Sequence, residues 1–466
     1  MKRIAIIGGG ISGLAAAFEL EKYRRNGVAR DYALFESSPR LGGVLRTERV
    51  DGCLVEAGPD SFLTEKPWAS DLCREIGLGD QLIGSNDRDR KTYILVKGRL
   101  VLIPDGLMFM VPTKILPILW SPLFSTGTKF RMMQEWFHPP KKSVADESVA
   151  SFVDRHYGPE MVDRLADPLL SGVYGGQARL LSLRSVLPRF AEMEARHGSL
   201  GRAMLSARGR APKPTAAKPL FTSLQDGMQQ MVDVVVSKLT ASALHTNTGV
   251  RAVQRQDSSW LVSAGYASDQ FDAVIIATSA LDAAQLGLPD KLSSILGGIE
   301  YTSSVTIALA YDQQVRQSLP PGFGFLVPRS EGRRLLAVTF VHNKFPHRAP
   351  ENRALLRCFL GSARDQTLLD VPDDEMLNVV RQELRHILNL TAEPLFTRVY
   401  KWKDAMAQYN VGHIERIQAI ERACRELPGL ALAGNAYHGI GVPDCVRSGA
   451  DAVSSVLKAL GLLQSK

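Results

Sequence analysis

The chain has 466 residues, enough to bury a large core and to hold about two or three domains. Hydrophobic residues at 45% and charged residues at 22% describe an ordinary folded protein and exclude extensive disorder. The net charge of +8 is spread along the sequence as on a solvated surface, with no nucleic-acid motif, and the five cysteines include no C-x-x-C pair, which speaks against a disulfide framework or a metal site.

The chain opens with the apolar run Ile4 to Ile7, too short for a signal-peptide core and read as a strand, so a cytoplasmic protein is expected. Gly8-Gly9-Gly10 follows as a tight turn, and Ile11 to Leu20 carries apolar residues at helical spacing. Tyr32 to Phe35 makes a second strand ending on Glu36, which completes a β-α-β unit of about thirty residues. From Thr92 to Lys142 short apolar pieces are broken by Pro104, Pro112, Pro117 and Pro122, which excludes a continuous spanning helix. Within that stretch, residues 106–137 combine Met108, Phe109, Leu116, Leu119 and Trp120 with Lys114, Lys129 and Arg131. Such a surface can rest on a bilayer, cover an apolar ligand or simply pack as a helical subdomain. Residues 206–219 are basic, contain proline and lack periodicity, so a poorly ordered loop is expected there. Residues 227–239 read as a helix, 260–262, 271–277 and 431–433 as strands, and the stretch from about Cys445 to Leu462 as a closing helix.

The spacing Gly8-x-Gly10-x-x-Gly13 between strand and helix is the context that makes this pattern informative. Gly8 permits the tight turn, Gly10 lets the backbone approach a pyrophosphate, and Gly13 lets the helix pack on the strand. The phosphates then meet the free N–H groups and positive dipole of the helix N-terminus, and Glu36 accepts from ribose hydroxyls. The fingerprint alone does not choose between NAD and FAD. The continuation Glu36-Ser37-Ser38-Pro39-Arg40-Leu41-Gly42-Gly43 resembles the large FAD-dependent amine-oxidase-like superfamily, with Arg40 offering a bidentate fork to a phosphate. A second string, Leu432 to Cys445, resembles that superfamily's C-terminal flavin segment, whose following helix would aim its positive end at the flavin. Asp444 can serve there as a flavin-side residue, as a plain helix N-cap, or as both.

The strings Leu45-Arg46-Thr47, Glu56 to Phe62, Ser171 to Gly176, Gly322 to Pro328 and Gly439 to Cys445 narrow the likeness. In this order they resemble the oxygen-dependent protoporphyrinogen/coproporphyrinogen oxidases of haem biosynthesis over essentially the whole chain. The resemblance implies FAD-dependent removal of six electrons from a porphyrinogen, with O2 as acceptor, H2O2 as by-product and no catalytic side chain. It implies FAD contacts at Gly8, Gly9, Gly10, Ile11, Ser12, Gly13, Glu36, Ser37, Arg40, Gly43, Val44, Gly58, Pro59, Asp60, Ser61, Val250, Trp402, Val442, Pro443 and Asp444. On the substrate side it implies a backbone carbonyl at Gly176 and apolar walls near Leu326 and Thr339. Some members carry an arginine at the position of Asp60 that attracts substrate carboxylates; its absence here leaves the propionate partner unassigned. Gly441 to Cys445 is closest to the coproporphyrinogen III branch, and four propionates suit a basic protein, with protoporphyrinogen IX as the alternative substrate. Amine oxidases, carotenoid desaturases and a non-enzymatic flavin scaffold are the rivals.

The expected fold is α/β, an FAD-binding Rossmann-like domain with a mixed-sheet substrate domain and a helical insertion. The FAD domain is expected at residues 1–90, 221–290 and 396–466, the helical cover at 91–220 and the substrate domain at 291–395. Peripheral membrane contact through 106–137, on the inner face of the membrane, and docking of the next haem-pathway enzyme are the partners this reading allows.

Overall fold

Ile4 to Ile7 are all buried, the pattern of a strand covered on both faces rather than one. This strand, β1 (Arg3–Ile7), sits inside a five-stranded parallel sheet. The sheet order is Leu244–His245, β2 (Asp31–Phe35), β1, Ala273–Ile276 and Leu430–Leu432. The crossover from β1 to β2 is helix α1 (Ile11–Arg25), whose Ala15, Ala16 and Ala17 are buried against its neighbours. The structure, a computed structural model, describes residues 2–27, 31–141, 145–210, 218–361 and 366–463. They form two compact units. The first comprises Met1–Ser85, Pro219–Glu300 and Glu415–Lys466. Its core joins α1, the helix Gln229–Ser237 and the closing helix Val442–Ala459 through Leu14, Met231, Val235, Val453 and Val456.

The second unit comprises Asn86–Lys218 and Tyr301–Ile414. It is built on a seven-stranded mixed sheet in the order Phe396–Ala407, Tyr301–Tyr311, Ala354–Gly361, Ala337–Phe340, Gly324–Leu326, Thr92–Val96 and Arg99–Leu102. All of these pair antiparallel except Gly324–Leu326 with Thr92–Val96. The helix Asp373–Leu388 lays Met376, Val380 and Leu384 on this sheet. Two expectations are corrected. Within the expected helical cover, Thr92–Val96 and Arg99–Leu102 are instead strands of this sheet, because Tyr93 and Ile94 find their partners at Phe325 and Leu326. Residues 396–414, expected with the cofactor domain, belong to the second unit, because Phe396–Ala407 pairs along the length of Tyr301–Tyr311. Of the loop expected at 206–219, residues 206–210 continue the helix Leu200–Arg210, and 211–217 lie outside the described residues.

The helices of the second unit leave apolar side chains exposed: Trp120 at 87%, Phe137 at 84% and Leu116 at 69%. Among the described residues no helix is long and apolar enough to cross a membrane. The helices are joined by a buried charged cluster. His156, on Val149–Tyr157, places Nδ1 3.3 Å from Glu135 Oε1 and Nε2 3.2 Å from Glu194 Oε1. Arg155 pairs with both Glu194 and, at 2.6 Å, Glu147, while Glu135 accepts from the Leu200 amide and Ser199 Oγ.

Burial opposes charge on His156, but its two carboxylate partners outweigh burial and raise its pKa above the ordinary value of 6.5. Burial likewise pushes Glu194 up, and His156 with Arg155 outweighs that and holds it at about 2, against an ordinary 4.5. The raised histidine contributes stability that is full below pH 6.5 and lost as pH rises through its folded pKa. The depressed glutamate contributes stability that is full above pH 4.5 and lost as pH falls toward 2. Protection of these helices from hydrogen exchange should therefore be greatest between pH 4.5 and 6.5 once corrected for intrinsic exchange rates. His156→Ala, which leaves two buried carboxylates facing each other, should cost about 3 kcal/mol and remove the alkaline decline. A flat profile in the native protein would contradict this assignment.

Candidate functional site

The turn after β1 is closed by backbone bonds: the Gly8 amide donates to the Phe35 carbonyl at 2.8 Å and the Ala277 amide to the Ile7 carbonyl at 2.7 Å. Gly8 has φ +104°, and a Cβ there would sit 2.8 Å from the Ala277 carbonyl oxygen. A Cβ on Gly13 would run into the Gly8 carbonyl oxygen, so the first turn of α1 lies directly against the glycine turn. Gly10 differs: a Cβ there would meet nothing within 4 Å. Packing within the protein therefore does not require glycine at position 10. It is the N-cap of α1 and makes no side-chain bond to the first-turn amides. Open space in front of a helix N-terminus fits a diphosphate, which takes N–H donors and the positive end of the dipole.

Glu36 stands at the end of β2 as expected, and its carboxylate already organises the turn. Oε2 accepts from the Gly9 amide at 2.7 Å and Oε1 from the Ser38 amide at 2.8 Å. An ionised carboxylate has about four acceptor sites, so capacity for a ribose hydroxyl remains. Residues 247 and 248 bond back to Ser38 and Glu36, which sets Gly249, just before strand Val250–Gln256, against Ser37. Arg40 braces its own loop. Its guanidinium donates to the Leu41 carbonyl at 3.0 Å, the Leu45 carbonyl at 2.9 Å, Gln229 Oε1 at 3.2 Å and the Gly43 carbonyl. The loop it holds places Gly42 in a bridge with Gly10 and bonds the Gly42 amide to the Gly9 carbonyl at 2.7 Å.

Val44 and Gly58 are packed so closely that a Cβ on Gly58 would collide with the Val44 carbonyl. Asp60 accepts from Ser61 Oγ through its side chain and from Ser223 Oγ through its backbone, each at 2.7 Å. Sequence reasoning missed two residues here. Glu56, 3% exposed, accepts from the Met228 amide at 2.8 Å and Thr47 Oγ1 at 2.7 Å, fixing the strand that leads to Gly58. Lys66 pairs at 2.6 Å with Asp444, itself 3% exposed.

The closing helix begins at Val442, three residues before the expected start, because Gly441 is its N-cap and Pro443 suits the first turn. Asp444 is thus not a cap; it is a first-turn carboxylate compensated by Lys66, and Gly439, at φ +134°, has no room for a Cβ beside it. Cys445, the next residue, packs on Ser12 of α1. Burial pushes its thiol up to about 12, with the Ser12 hydrogen bond opposing, so it is held as an unreactive thiol.

The remaining site residues lie in the second unit. Trp402 is on Phe396–Ala407, opposite Ser304. Gly176 follows the helix Asp167–Tyr174; its carbonyl accepts from Ser171 Oγ at 3.1 Å, and the side chain of Gln408 closes off the space a Cβ would need. Leu326 and Thr339 are half-buried on adjacent strands, where Leu326 pairs with Ala337 and Gly324 with Thr339. Gln177 links these regions: its Oε1 accepts from Arg329, three residues past Leu326, at 2.8 Å.

Residues 11–457 match the family model of flavin containing amine oxidoreductases. The chain is 35% identical to the coproporphyrinogen III oxidase of Bacillus subtilis (strain 168), covering 98% of both chains. It is 28% identical to protoporphyrinogen oxidase 2 of Arabidopsis thaliana, over 98% of this chain and 94% of that one. A crystal structure from Exiguobacterium sp. 255-15, provisionally assigned as a protoporphyrinogen oxidase, superposes with a TM-score of 0.88 at 31% identity, covering 99% of each chain.

Proposed function

The chain belongs to the family of flavin containing amine oxidoreductases and is an FAD-dependent oxidoreductase, and from that premise we propose that it oxidises coproporphyrinogen III to coproporphyrin III. The observation that carries the proposal is likeness over 98% of the chain to coproporphyrinogen III oxidases from Bacillus subtilis and, at 29% identity, Staphylococcus aureus. Bound FAD would supply the acceptor for hydride from a methylene carbon of the macrocycle, with O2 as final acceptor and H2O2 as by-product. The chain's own residues would bind and orient. Amides of the first turn of α1 would take the diphosphate, with Gly10 giving the space. Glu36 and Ser37 would meet the ribose, Arg40 would hold the loop at Gly43 and Val44, and the start of the closing helix at Val442 to Asp444 would face the flavin. Gly58 to Ser61, Val250 and Trp402 complete the proposed cofactor contacts, and Gly176, Leu326 and Thr339 the substrate side. Aromatisation provides the driving force, so positioning a flat macrocycle is the protein's main task.

Initial rates with coproporphyrinogen III and protoporphyrinogen IX, followed in parallel by porphyrin fluorescence in air, test the reading. Faster oxidation of the four-propionate substrate is the expected outcome. Preference for protoporphyrinogen IX would move the protein to the alternative substrate, and oxidation of neither by FAD-loaded protein would refute porphyrinogen chemistry.

The exposed Trp120, Phe137 and Leu116, with Lys129 and Arg131 in the same helical stretch, support reversible contact with an anionic bilayer surface. Co-sedimentation with phosphatidylserine vesicles should be lost in Trp120→Ser/Phe137→Ser. Equal sedimentation of variant and native protein would refute the contact.

A further inference from the structure

The sequence offers no arginine at position 60, and the second unit supplies cations elsewhere. Gln177, the residue after Gly176, is 7% exposed and points a single carbonyl oxygen at two guanidinium groups. Arg179 Nε donates to Gln177 Oε1 at 2.6 Å, and an Arg329 terminal nitrogen donates to the same atom at 2.8 Å. Two like charges are thereby fixed a few ångströms apart, an arrangement that is unfavourable until an anion joins it. Both arginines are exposed, and among the described residues each donates to Gln177 and neither is joined to a carboxylate. The acids flanking Arg329 are engaged elsewhere. Asp163 accepts from Ser330 Oγ at 2.5 Å, and Glu331 accepts from the Lys97 and Gly98 amides at 2.6 and 3.0 Å. A guanidinium has five N–H donors in a planar fork, and the contact with Gln177 uses one from each arginine.

We propose that Arg179 and Arg329, held together by Gln177, form a carboxylate-binding subsite for propionate side chains of the porphyrinogen. The assignment rests on the porphyrinogen reading. Its placement follows from chain connectivity: Gln177 adjoins Gly176, and Arg329 lies just beyond the strand end that carries Leu326. The hydrogen bond between Gln177 and Arg329 thus ties a cationic pair to both regions expected to line the macrocycle. Gln177 is a positioning residue, and the two arginines are the contact residues. A tetracarboxylate would gain from this pair whichever of its edges faces it, whereas a dicarboxylate would have to present its propionate edge.

The test compares binding of two flat porphyrins by fluorescence titration: coproporphyrin III, with four carboxylates, and its tetramethyl ester, with none. In the FAD-loaded Arg179→Gln/Arg329→Gln variant, coproporphyrin III should bind about tenfold more weakly, with a shallower salt dependence, while ester binding stays as in the native protein. KM for coproporphyrinogen III should rise by a similar factor with kcat little changed, and Arg329→Lys should recover part of the loss as a point charge. Gln177→Ala should raise the same KM through loosened arginines without affecting the ester. Unchanged coproporphyrin III binding in the double variant, or equal losses for acid and ester, would overturn the assignment. If native FAD-loaded protein oxidises coproporphyrinogen III, either result counts against this subsite alone; if it neither binds nor oxidises any porphyrin, the functional reading falls with it. Flavin content and thermal unfolding of each variant separate a binding effect from a folding defect.

Discussion

Gly10→Val is expected to leave the fold standing and to strip the protein of FAD. Position 10 has φ −69° and ψ 178°, extended backbone that valine adopts readily, and a Cβ there touches nothing. The change to the bare protein is confined to a poorer N-cap, about 1 kcal/mol or less. The added methyls instead fill the space in front of the α1 amides where the diphosphate would sit. FAD affinity should fall about a hundredfold or more, close to 2.7 kcal/mol. Gly13→Val is the contrasting case, since its Cβ collides with the Gly8 carbonyl and both fold and cofactor should be lost. Flavin-to-protein ratios after desalting, alongside thermal unfolding of the apoproteins, distinguish the two. A Gly10→Val protein that keeps its flavin would show that the ligand does not approach this turn.

Gly449→Leu should be the most damaging single change in the cofactor unit outside the glycine turn. Gly449 lies on the closing helix where it crosses α1. A Cβ there would strike the Ser12 carbonyl and come within 3.0 Å of the Ala16 amide nitrogen and 3.1 Å of the Ala15 Cβ. These neighbours are backbone atoms or a helical methyl, which cannot rotate away, so the helices must separate. Overpacking of this kind costs about 3 kcal/mol, and separation also shifts the first turn of α1, which carries the proposed diphosphate donors. Chemical denaturation should show the loss, and excess FAD should restore only part of it. Wild-type stability in Gly449→Leu would mean that the two helices are not so closely apposed.

The β1-α1-β2 unit and its glycines were legible because their signals are local: a buried run, a turn, a helical period and an acidic residue at the end of β2. The start of the closing helix was misplaced because Asp444 fits an N-cap by residue type, whereas Gly441 is the cap and Pro443 takes its favoured place in the first turn. Arg40 was legible as a member of its motif but not in its contacts, since its acceptors are backbone carbonyls of a loop whose shape no pattern reports. Lys66 and Asp444 lie 378 positions apart, and nothing near either residue announces the other. The same applies to the strands at 92–102 and 396–407, whose partners are supplied by residues 301–326. The pair Arg179 and Arg329 was invisible for this reason too, because Gln177 joins them only in the folded chain.

Whether bound FAD takes electrons from a porphyrinogen is decided by anaerobic mixing of purified holoenzyme with coproporphyrinogen III. Bleaching of the oxidised-flavin absorbance is expected while air is excluded, since each flavin takes two of the six electrons; admitting air should return the flavin colour and, through repeated turnovers, bring up porphyrin fluorescence. Flavin that stays oxidised in the presence of excess coproporphyrinogen III and of protoporphyrinogen IX would contradict it.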